Sequence, residues 1–353
     1  MSVLMVYANF SNGKKRPKNE GLYPVYGGNG ILGYADDYNM ENGVIIGRVG
    51  AYCGSVYLET GKCWVSDNAI KAQAKDGIDL VYLFYLLKRL KLNERQIGTS
   101  QPLLTQNILN NIEVNVPDFV YQQKVAGILS VLDKKIQLNR KINNNLEQQA
   151  QAIYQRMFID NASSDWEEGT LSDIADITMG QSPSGSSYNE DGNGTIFFQG
   201  RAEFGFRFPT VRLYTTEPKR MACTNDTLMS VRAPVGDLNV AHVDCCIGRG
   251  LAAIHSKNNH QSFVLYTMFS LKKQLDVFNG EGTVFGSINR ISLNDMPLII
   301  PSSDKLDEFE ALVAPMDAAI RNNYDEICRL EQLRDSLLPK LISGELDVSD
   351  IEL

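Results

Sequence analysis

The stretches Val125-Ala-Gly-Ile-Leu-Ser-Val-Leu-Asp-Lys-Lys-Ile136 and Phe309-Glu-Ala-Leu-Val-Ala-Pro-Met-Asp-Ala-Ala-Ile320 share one apolar spacing, and that spacing decides the fold. In both stretches, apolar side chains recur at alternating steps of four and three residues, the a/d spacing of a coiled-coil seam. The second stretch begins 184 residues after the first (309 − 125). The same offset relates Gly98-Thr99 to Gly282-Thr283 and Pro117 to Pro301. The chain is therefore predicted to repeat one unit twice, a globular half followed by a long helix.

The two predicted helices have matched heptad patterns, so we expect them to pair antiparallel within the chain. Asn139 and Asn323 occupy equivalent positions on the seam, and a polar seam residue can fix the register and orientation of such a pair. The predicted seam positions are Val125, Leu129, Leu132, Ile136, Asn139, Leu146, Ile153, Phe309, Val313, Met316, Ile320, Asn323, Leu330 and Leu337.

Length and composition indicate a protein of the cytoplasm with two domains. The 353 residues are enough for two separate cores, and the hydrophobic fraction of 43% is ordinary for a globular protein. No apolar run approaches the roughly 20 residues that span a membrane. The first residues lack the basic segment and cleavage site of a secretory signal. The six cysteines form no CxxC pair, which favours reduced thiols and argues against a metal site.

The net charge of −8 argues against nucleic-acid binding until its distribution along the chain is considered. Residues 301–353 hold 5 basic and 13 acidic side chains, so most of the acidity lies on the second helix and the tail. Residues 1–160 hold 18 basic and 14 acidic side chains, a positive balance. The globular halves can therefore present local basic faces, although neither half is strongly basic.

The repeat predicts an α+β protein with a pseudo-two-fold internal repeat. We expect globular domains at residues 1–117 and 166–301, long antiparallel coiled-coil helices within 118–160 and 302–344, and an acidic tail at 345–353. Residues 108–117 and 291–300 alternate in polarity and are predicted to be strands. The second half opens with Gly169-Thr-Leu-Ser-Asp-Ile174, to which the first half has no clear counterpart. The first domain is therefore expected to be shortened at its N-terminus or rebuilt there.

The motifs give no support for an enzyme. Gly28-Asn29-Gly30-Ile31-Leu32-Gly33 fits the GxGxxG spacing, but Tyr34-Ala-Asp-Asp-Tyr-Asn39 follows it, which favours a turn over the helix that a dinucleotide-binding loop opens. The sequence holds no GxxxxGK[ST] loop for ATP and no motif of an amino-methyltransferase. The sequence therefore predicts a binding protein or a scaffold without a catalytic site, a metal or a cofactor of its own.

Candidate DNA contacts lie in both halves. Basic residues can contact phosphates, and arginine can bind the guanine edge with two hydrogen bonds. Arg48 and Arg232 precede the glycines Gly54 and Gly236 in their halves, and polar loops precede corresponding segments of each half. For any single arginine of the second half, a solvated strand face is an equally good interpretation. The candidates are Lys14, Lys15, Arg16, Lys18, Asn29, Arg48, Thr99, Ser100, Gln101, Arg201, Arg207, Arg212, Lys219, Arg220, Arg232, Thr283, Ser287 and Arg290.

Four stretches, together with the tandem repeat, carry a resemblance to a known family. They are Tyr23-Pro-Val-Tyr-Gly-Gly-Asn-Gly-Ile31, Gln122-Gln-Lys-Val-Ala126 with Gly98-Thr99 and Pro117, Ile128-Leu-Ser-Val-Leu-Asp-Lys-Lys-Ile136, and Leu337-Leu-Pro-Lys-Leu-Ile-Ser-Gly-Glu345. Over essentially its whole length, the chain resembles the specificity subunits of type I restriction-modification systems.

The resemblance implies two target-recognition domains, each of which reads one half of a bipartite DNA site with an unspecified spacer. It also implies that the two helices set the spacer length and bind two methyltransferase subunits that modify adenine at N6. Two restriction subunits, which are translocases and nucleases, would complete the complex. S-adenosylmethionine, ATP and magnesium would then belong to these partners. The acidic balance of the chain favours a contrasting hypothesis, a coiled-coil scaffold that binds only proteins.

Overall fold

A computed structural model describes residues 1–98, 102–280 and 286–348 of the chain. Its helices and sheets confirm the predicted α+β class. The chain forms two compact units: unit 1 comprises Met1–Asn139 and Glu326–Leu353, and unit 2 comprises Arg140–Asp325. Each of the two long helices contributes residues to both units. In the described part of the chain, no helix has the length and apolar character needed to cross a membrane.

Unit 1 combines a mixed sheet with a small antiparallel pair of strands. The strands of the sheet lie in the order β2-β7-β5-β6-β3-β4, and β1 pairs with β8. The strands are β1 (Ser2–Val3), β2 (Ala8–Asn12), β3 (Tyr23–Gly27), β4 (Gly30–Ala35), β5 (Met40–Gly47), β6 (Val56–Val65), β7 (Ala69–Ala74) and β8 (Glu113–Val114). The helices are α1 (Leu80–Arg89), α2 (Gln106–Asn110) and α3 (Phe119–Tyr154), which ends in a π-helical turn at Gln155–Asp160.

The first globular core forms where α1 covers the sheet. Asp79 caps the helix by accepting a hydrogen bond from the backbone N–H of Tyr82, and the apolar run that follows supplies the buried face. Tyr82 and Leu83 pack with Ile46 of β5 and Ile70 of β7 in this core. Within the GxGxxG segment, Gly28 and Asn29 form the turn between β3 and β4, and the remaining residues begin β4.

Unit 2 contains two larger sheets and a small pair of strands. The orders are β10-β18-β15-β16, β11-β13-β12-β17-β14 and β19-β9. The strands are β9 (Glu167–Thr170), β10 (Ala175–Met179), β11 (Tyr188–Asn189), β12 (Thr195–Phe198), β13 (Leu213–Thr215), β14 (Met221–Ala222), β15 (Thr227–Ser230), β16 (Leu238–Val240), β17 (Cys245–Ile247), β18 (Leu251–Ser256) and β19 (Pro297–Ile300). The helices are α4 (Leu171–Ile174), α5 (Gln261–Ser270), α6 (Lys272–Leu275), α7 (Arg290–Asn294) and α8 (Ser303–Ser343).

The long helices α3 and α8 contact each other antiparallel inside each unit. In unit 1, Asn139 donates to Glu326 at 2.7 Å, and Arg334 pairs with Asp133 at 2.7 Å. In unit 2, Asn323 donates to the side-chain oxygen of Asn143 at 2.8 Å. All fourteen predicted seam positions are buried or half-buried. The polar seam residues therefore find partners across the helix pair instead of remaining unsatisfied.

The prediction of two strands is wrong for the N-terminal part of each segment. Residues 108–117 and 291–300 do contain β8 and β19, but the short helices α2 and α7 precede those strands. The reason is local capping. Thr105 accepts a hydrogen bond from the backbone N–H of Ile108, and Asn289 accepts one from that of Ser292. These side chains start a helical turn that the alternating polarity does not reveal.

The first half does contain a counterpart to the opening of the second half. Ser2 and Val3 form β1 and pair antiparallel with β8, just as β9 pairs with β19. The backbone N–H of Leu4 donates to Ile112 at 2.8 Å, and that of Leu171 donates to Met296 at 2.9 Å. Both leucines are fully buried. Unit 1 therefore contains this element, which agrees with a rebuilt N-terminal segment rather than a missing one. The two segments share a pairing pattern but almost no sequence.

Candidate nucleic-acid interface

The loops at one end of the sheet in unit 1 lie close together and form a rim. Gly28 lies beside residues 47, 52 and 68, and the Ser55 hydroxyl donates to its carbonyl oxygen. Gly13 lies against the backbone of Ser66. We call this set of loops, residues 13–18, 28–29, 48–55 and 66–68, the strand-end rim of unit 1.

Unit 2 has an equivalent rim, which its backbone hydrogen bonds identify. Gly13 donates to Ala69 at 2.9 Å, and Gly180 donates to Leu251 at 2.9 Å. Other residues of the two units also correspond, because their backbone N–H groups donate to carbonyl groups at equivalent places. The corresponding pairs are Lys14 and Gln181, Ser66 and Gly248, Arg48 and Val231, and Leu104 and Ile288. The strand-end rim of unit 2 therefore comprises residues 180–185, 200–203, 231–237, 248–250 and 286–288.

The two rims need glycine at the same place. At Gly13 and at Gly180, a Cβ atom would lie far inside van der Waals contact of the backbone oxygens of Ser66 and Gly248. The loop that follows β2 and the loop that follows β10 can approach the neighbouring turn only because neither glycine has a side chain. The backbone frame of the rim is therefore repeated, although the side chains on it are not.

In unit 1, most of the rim's positive charge comes from the loop after β2. The side chains of Lys14, Lys15, Arg16 and Lys18 are exposed, and Arg16 donates to the carbonyl oxygen of Leu32 at 3.4 Å. Asn29 is exposed at the tip of the β3–β4 turn. The contact of Arg16 brings the loop after β2 against the β3–β4 hairpin, which also carries Asn29.

Arg48 occupies a different position from the exposed candidates of unit 1. Its side chain is half-buried, and its Nε is buried without a hydrogen-bond partner. The hydrogen-bond pattern makes it the equivalent of buried Val231, so the equivalent of exposed Arg232 is Val49. Arg48 and Arg232 precede corresponding glycines but are one residue out of register. A shift of one residue along an extended strand places a side chain on the opposite face.

In unit 2, several candidate arginines are held by carboxylates. Arg201 pairs with Asp237 at 2.7 Å, and Arg212 pairs with buried Glu203 at 3.0 Å. Arg220 and Lys219 are exposed, and the carbonyl oxygen of Arg220 accepts from the backbone N–H of Ile247 at 2.9 Å, next to the turn at 248–250.

Three polar residues of unit 2 line one open cleft. Arg232, Arg249 and Ser287 are exposed on its wall, and its volume is about 590 Å³. Arg290 is exposed at the start of α7, three residues beyond Ser287. The candidates Thr99, Ser100, Gln101 and Thr283 lie outside the described residues.

Arg207 is the candidate whose position the structure contradicts most clearly. Only 4% of its side chain is exposed, and its guanidinium pairs with Asp317 of α8 at 3.2 Å and with Glu147 of α3 at 3.5 Å. It also donates to the Tyr266 hydroxyl at 3.0 Å. Burial raises the pKa of Glu147 even though this arginine is nearby. Arg207 therefore joins the globular part of unit 2 to its helices and is not exposed to a ligand.

Sequence reasoning missed Arg249, which lies on the turn between β17 and β18. The arginine is flanked by Gly248 and Gly250, and its backbone N–H donates to the Ser182 hydroxyl at 3.2 Å. A lone arginine between two glycines, just after a strand of apolar residues, is the signal that identifies an exposed turn. Its equivalent in unit 1 is Asp67.

The geometry describes an interface that is suited to binding nucleic acid. Cations and amide or hydroxyl side chains suit phosphates and base edges. In the described part of the chain, no group of three or more His, Cys, Asp or Glu side chains could hold a metal ion.

Comparisons with known proteins point to one family. The model of the type I restriction modification DNA specificity domain matches residues 8–148 and again 163–312. The specificity subunit of the type I restriction enzyme MjaX from Methanocaldococcus jannaschii is 30% identical over 297 residues, which cover 78% of this chain and 70% of that protein. The MjaIX specificity subunit from the same organism is 27% identical over 315 residues, 78% of this chain and 71% of its own.

A solved structure supports the fold. The crystal structure of a type I restriction-modification S subunit from M. genitalium matches with a TM-score of 0.66 and covers 96% of this chain and 94% of its own. The two sequences are 18% identical, so the likeness concerns the fold alone.

Proposed function

Because the chain belongs to the family of type I restriction-modification DNA specificity domains, we propose that it reads a bipartite, gapped DNA site, one half with each unit. The observation that carries the proposal is the repeated strand-end rim. Both units hold the same loops in the same backbone frame, and both place exposed cationic and polar side chains on them. Phosphate contacts from such residues position a protein on DNA, and contacts with base edges specify the sequence.

The helices α3 and α8 have two roles in this proposal. They set the spacing between the half-sites, and they dock two methyltransferase subunits. Exposed apolar side chains support the docking role. Val131 and Leu138 of α3 in unit 1 are 60% and 52% exposed and lie seven residues apart on one helix face, and Leu312 of α8 in unit 2 is 49% exposed. Apolar side chains of this size on a helix face suit a partner protein.

Catalysis in the proposed complex belongs to the partners. The chain is non-catalytic by itself, and its relatives are specificity subunits. We propose that the methyltransferase subunits bring S-adenosylmethionine and methylate adenine at N6. Two restriction subunits bring ATP and magnesium to the full complex.

The contrasting function, a coiled-coil scaffold that binds only proteins, is favoured by the net charge of −8. Salt dependence separates the two functions. A chain that contacts several phosphates loses DNA affinity steeply as salt rises, because binding releases counterions. A protein scaffold has no such affinity to lose.

The direct test is to co-express the chain with its cognate methyltransferase subunit, purify the complex, and map methylated adenines in the genomic DNA of the host. A gapped motif with two defined halves is the expected result. A stable complex that leaves no sequence motif in the methylated DNA would contradict the reading of DNA by these units. Absence of a complex, together with DNA binding that ignores salt, would favour the scaffold.

A further inference from the structure

We propose that Arg232 and Arg249 read guanine bases in the half-site of unit 2, and that unit 1 reads its half-site by different chemistry at the equivalent positions. This inference rests on the proposed function, because it assigns the base contacts of the same rim. It concerns one cleft and two side chains, so it can fail while the DNA-reading function stands.

Both arginines lie in one cleft of a size that suits the edge of a base. The cleft of about 590 Å³ has Arg232, Arg249 and Ser287 as its polar wall, and Met179, Val231 and Ile288 supply apolar surface. An open cleft with two guanidinium groups and a hydroxyl offers donors at several points. Polar groups on an apolar background are the usual means by which a binding site fixes the orientation of its ligand.

The backbone holds both arginines in place while their side chains remain available. Arg232 and Ser287 form an isolated antiparallel bridge, and the neighbouring residues on each side of Arg232 donate to Gly250 at 3.0 Å and to Gly286 at 3.0 Å. Arg249 is held through its backbone by the Ser182 hydroxyl. Within the residues that the structure describes, neither guanidinium forms an ion pair. Arg201 and Arg212, by contrast, are paired with carboxylates.

A rigid backbone with an unpaired guanidinium favours base reading over loose phosphate contact. The planar fork of arginine matches the O6 and N7 acceptors of guanine in the major groove, which is the commonest specific contact between protein and DNA. A phosphate contact needs only positive charge, and lysine would serve there equally well. Replacing arginine by lysine therefore tests the proposal, because lysine keeps the positive charge but lacks the planar pair of donors.

Unit 1 lacks this chemistry at the equivalent positions. Val49 corresponds to Arg232, and Asp67 corresponds to Arg249. Both side chains are exposed on the rim. A valine suits the methyl group of thymine, and an aspartate accepts a hydrogen bond from the cytosine amino group, so neither can bind guanine as an arginine does. The two half-sites are therefore expected to differ, with the arginine-read guanines confined to the half-site of unit 2.

The first experiment maps methylated adenines in cells that express the complex with wild-type chain, Arg232→Lys, Arg232→Gln or Arg249→Gln. Lys273→Gln is the matched control, because it removes one exposed positive charge from unit 2 outside the cleft. We expect each arginine variant to relax one guanine position in one half-site and to leave the other half-site unchanged. Arg232→Lys should relax that position as well, because lysine retains the charge but loses the fork. The control should keep the wild-type motif.

The second experiment measures binding of the purified complex to the mapped site with 7-deazaguanine at the relaxed position. This base lacks N7 and leaves every phosphate in place. Wild-type complex should bind the modified site about 2- to 12-fold more weakly, because one of the two hydrogen bonds is lost while the bond to O6 remains. The Arg232→Gln complex should bind both sites equally.

Three results would overturn the inference. Variants that lower methylation evenly at every site, with an unchanged motif, would make these arginines phosphate contacts. Equal binding of the normal and modified sites by wild-type complex would also show that these arginines do not read guanine. Both results leave the proposed function intact. A wild-type complex that yields no motif would overturn the proposed function, and the inference with it.

Discussion

Replacing Arg207 by methionine tests whether this buried cation stabilises unit 2. The guanidinium lies between carboxylates of both long helices, 3.2 Å from Asp317 and 3.5 Å from Glu147. It also donates to the Tyr266 hydroxyl of α5 at 3.0 Å. The methionine variant therefore leaves two carboxylates close together without the cation they share.

The cost follows from the burial of the three groups. Removing one partner of a buried ion pair typically costs about 3–5 kcal/mol, because the remaining charge stays desolvated. The side chains of Asp317 and Glu147 are 23% and 15% exposed, so water can recover part of that cost. We expect the free energy of unfolding to fall by about 3 kcal/mol, near the lower limit of that range. With a urea m-value of about 1–3 kcal/mol/M, the midpoint should shift by at least about 1 M.

Tryptophan fluorescence can report this loss from unit 2 alone. The chain has two tryptophans, Trp64 in unit 1 and Trp166 in unit 2, so a Trp64→Phe background isolates the second signal. Lys305→Ala is the matched control, since its ion pair with Glu308 is about half exposed on both sides and should cost less than about 1 kcal/mol. An Arg207→Met midpoint that moves no further than the control would refute the reasoning. A double-mutant comparison gives a further check. Asp317→Asn should lower the free energy of unfolding less in the Arg207→Met background than in the wild type, because the two side chains form one ion pair.

Three further predictions concern single sites. Asn143→Leu should lower the free energy of unfolding by about 1–3 kcal/mol, because it leaves the Asn323 amide without its acceptor, and a double Asn143→Leu/Asn323→Leu variant should recover most of that loss in urea titrations. Gly180→Ala should lower the melting temperature because its Cβ meets backbone, whereas Gly185→Ala five residues later enters open space and should leave the melting temperature nearly unchanged. Glu310→Gln should stabilise the protein at pH 7 and have no effect below about pH 4. Burial raises the pKa of Glu310, so the wild type loses stability as pH rises through that pKa, which unfolding at a series of pH values will show.

The long helices could be predicted from sequence because their signal is local. A heptad pattern needs only neighbouring residues, and it predicted helices where the structure has α3 and α8. Their polar seam residues were also visible as breaks in the apolar pattern. The partners that satisfy those residues were not, because Asn139 reaches Glu326 across 187 positions of the chain. Contacts over such separations depend on the fold and leave no local trace.

The register of the strands was harder to predict than the helices. In the helices one offset relates the two halves, but on the rim the hydrogen bonds relate Arg48 to Val231 (231 − 48 = 183) and Asn68 to Gly250 (250 − 68 = 182). Each loop of different length shifts the correspondence by a residue or more. A strand has a period of two, so an error of one residue exchanges its buried and exposed faces. The pairing of Arg48 with Arg232 failed for this reason.

The sequence also did not predict which single polar residues are buried. Arg201, Arg207 and Arg212 lie in one run of alternating arginines and aromatic residues, and the pattern gave them equal standing. The structure separates them, because Arg207 lies under α5 and between the long helices, whereas the other two reach the surface. Arg207 differs because the distant helices α3, α5 and α8 pack around it, and local polarity does not encode that packing.

The repeat is kept where the globular parts meet the helices and is lost on the rim. Tyr85 donates to Asp133 at 2.8 Å in unit 1, and Tyr266 donates to Asp317 at 2.9 Å in unit 2, so the same hydrogen bond ties helix α1 to α3 and helix α5 to α8. On the rim, the equivalents of Asp67 and Val49 are arginines. A frame that holds its loops by backbone hydrogen bonds lets the exposed side chains change without cost to the core. Under the proposed function, specificity can therefore vary independently of stability. Substitutions that alter the recognised sequence should lie on the rim, whereas substitutions that unfold the protein should lie at these anchors.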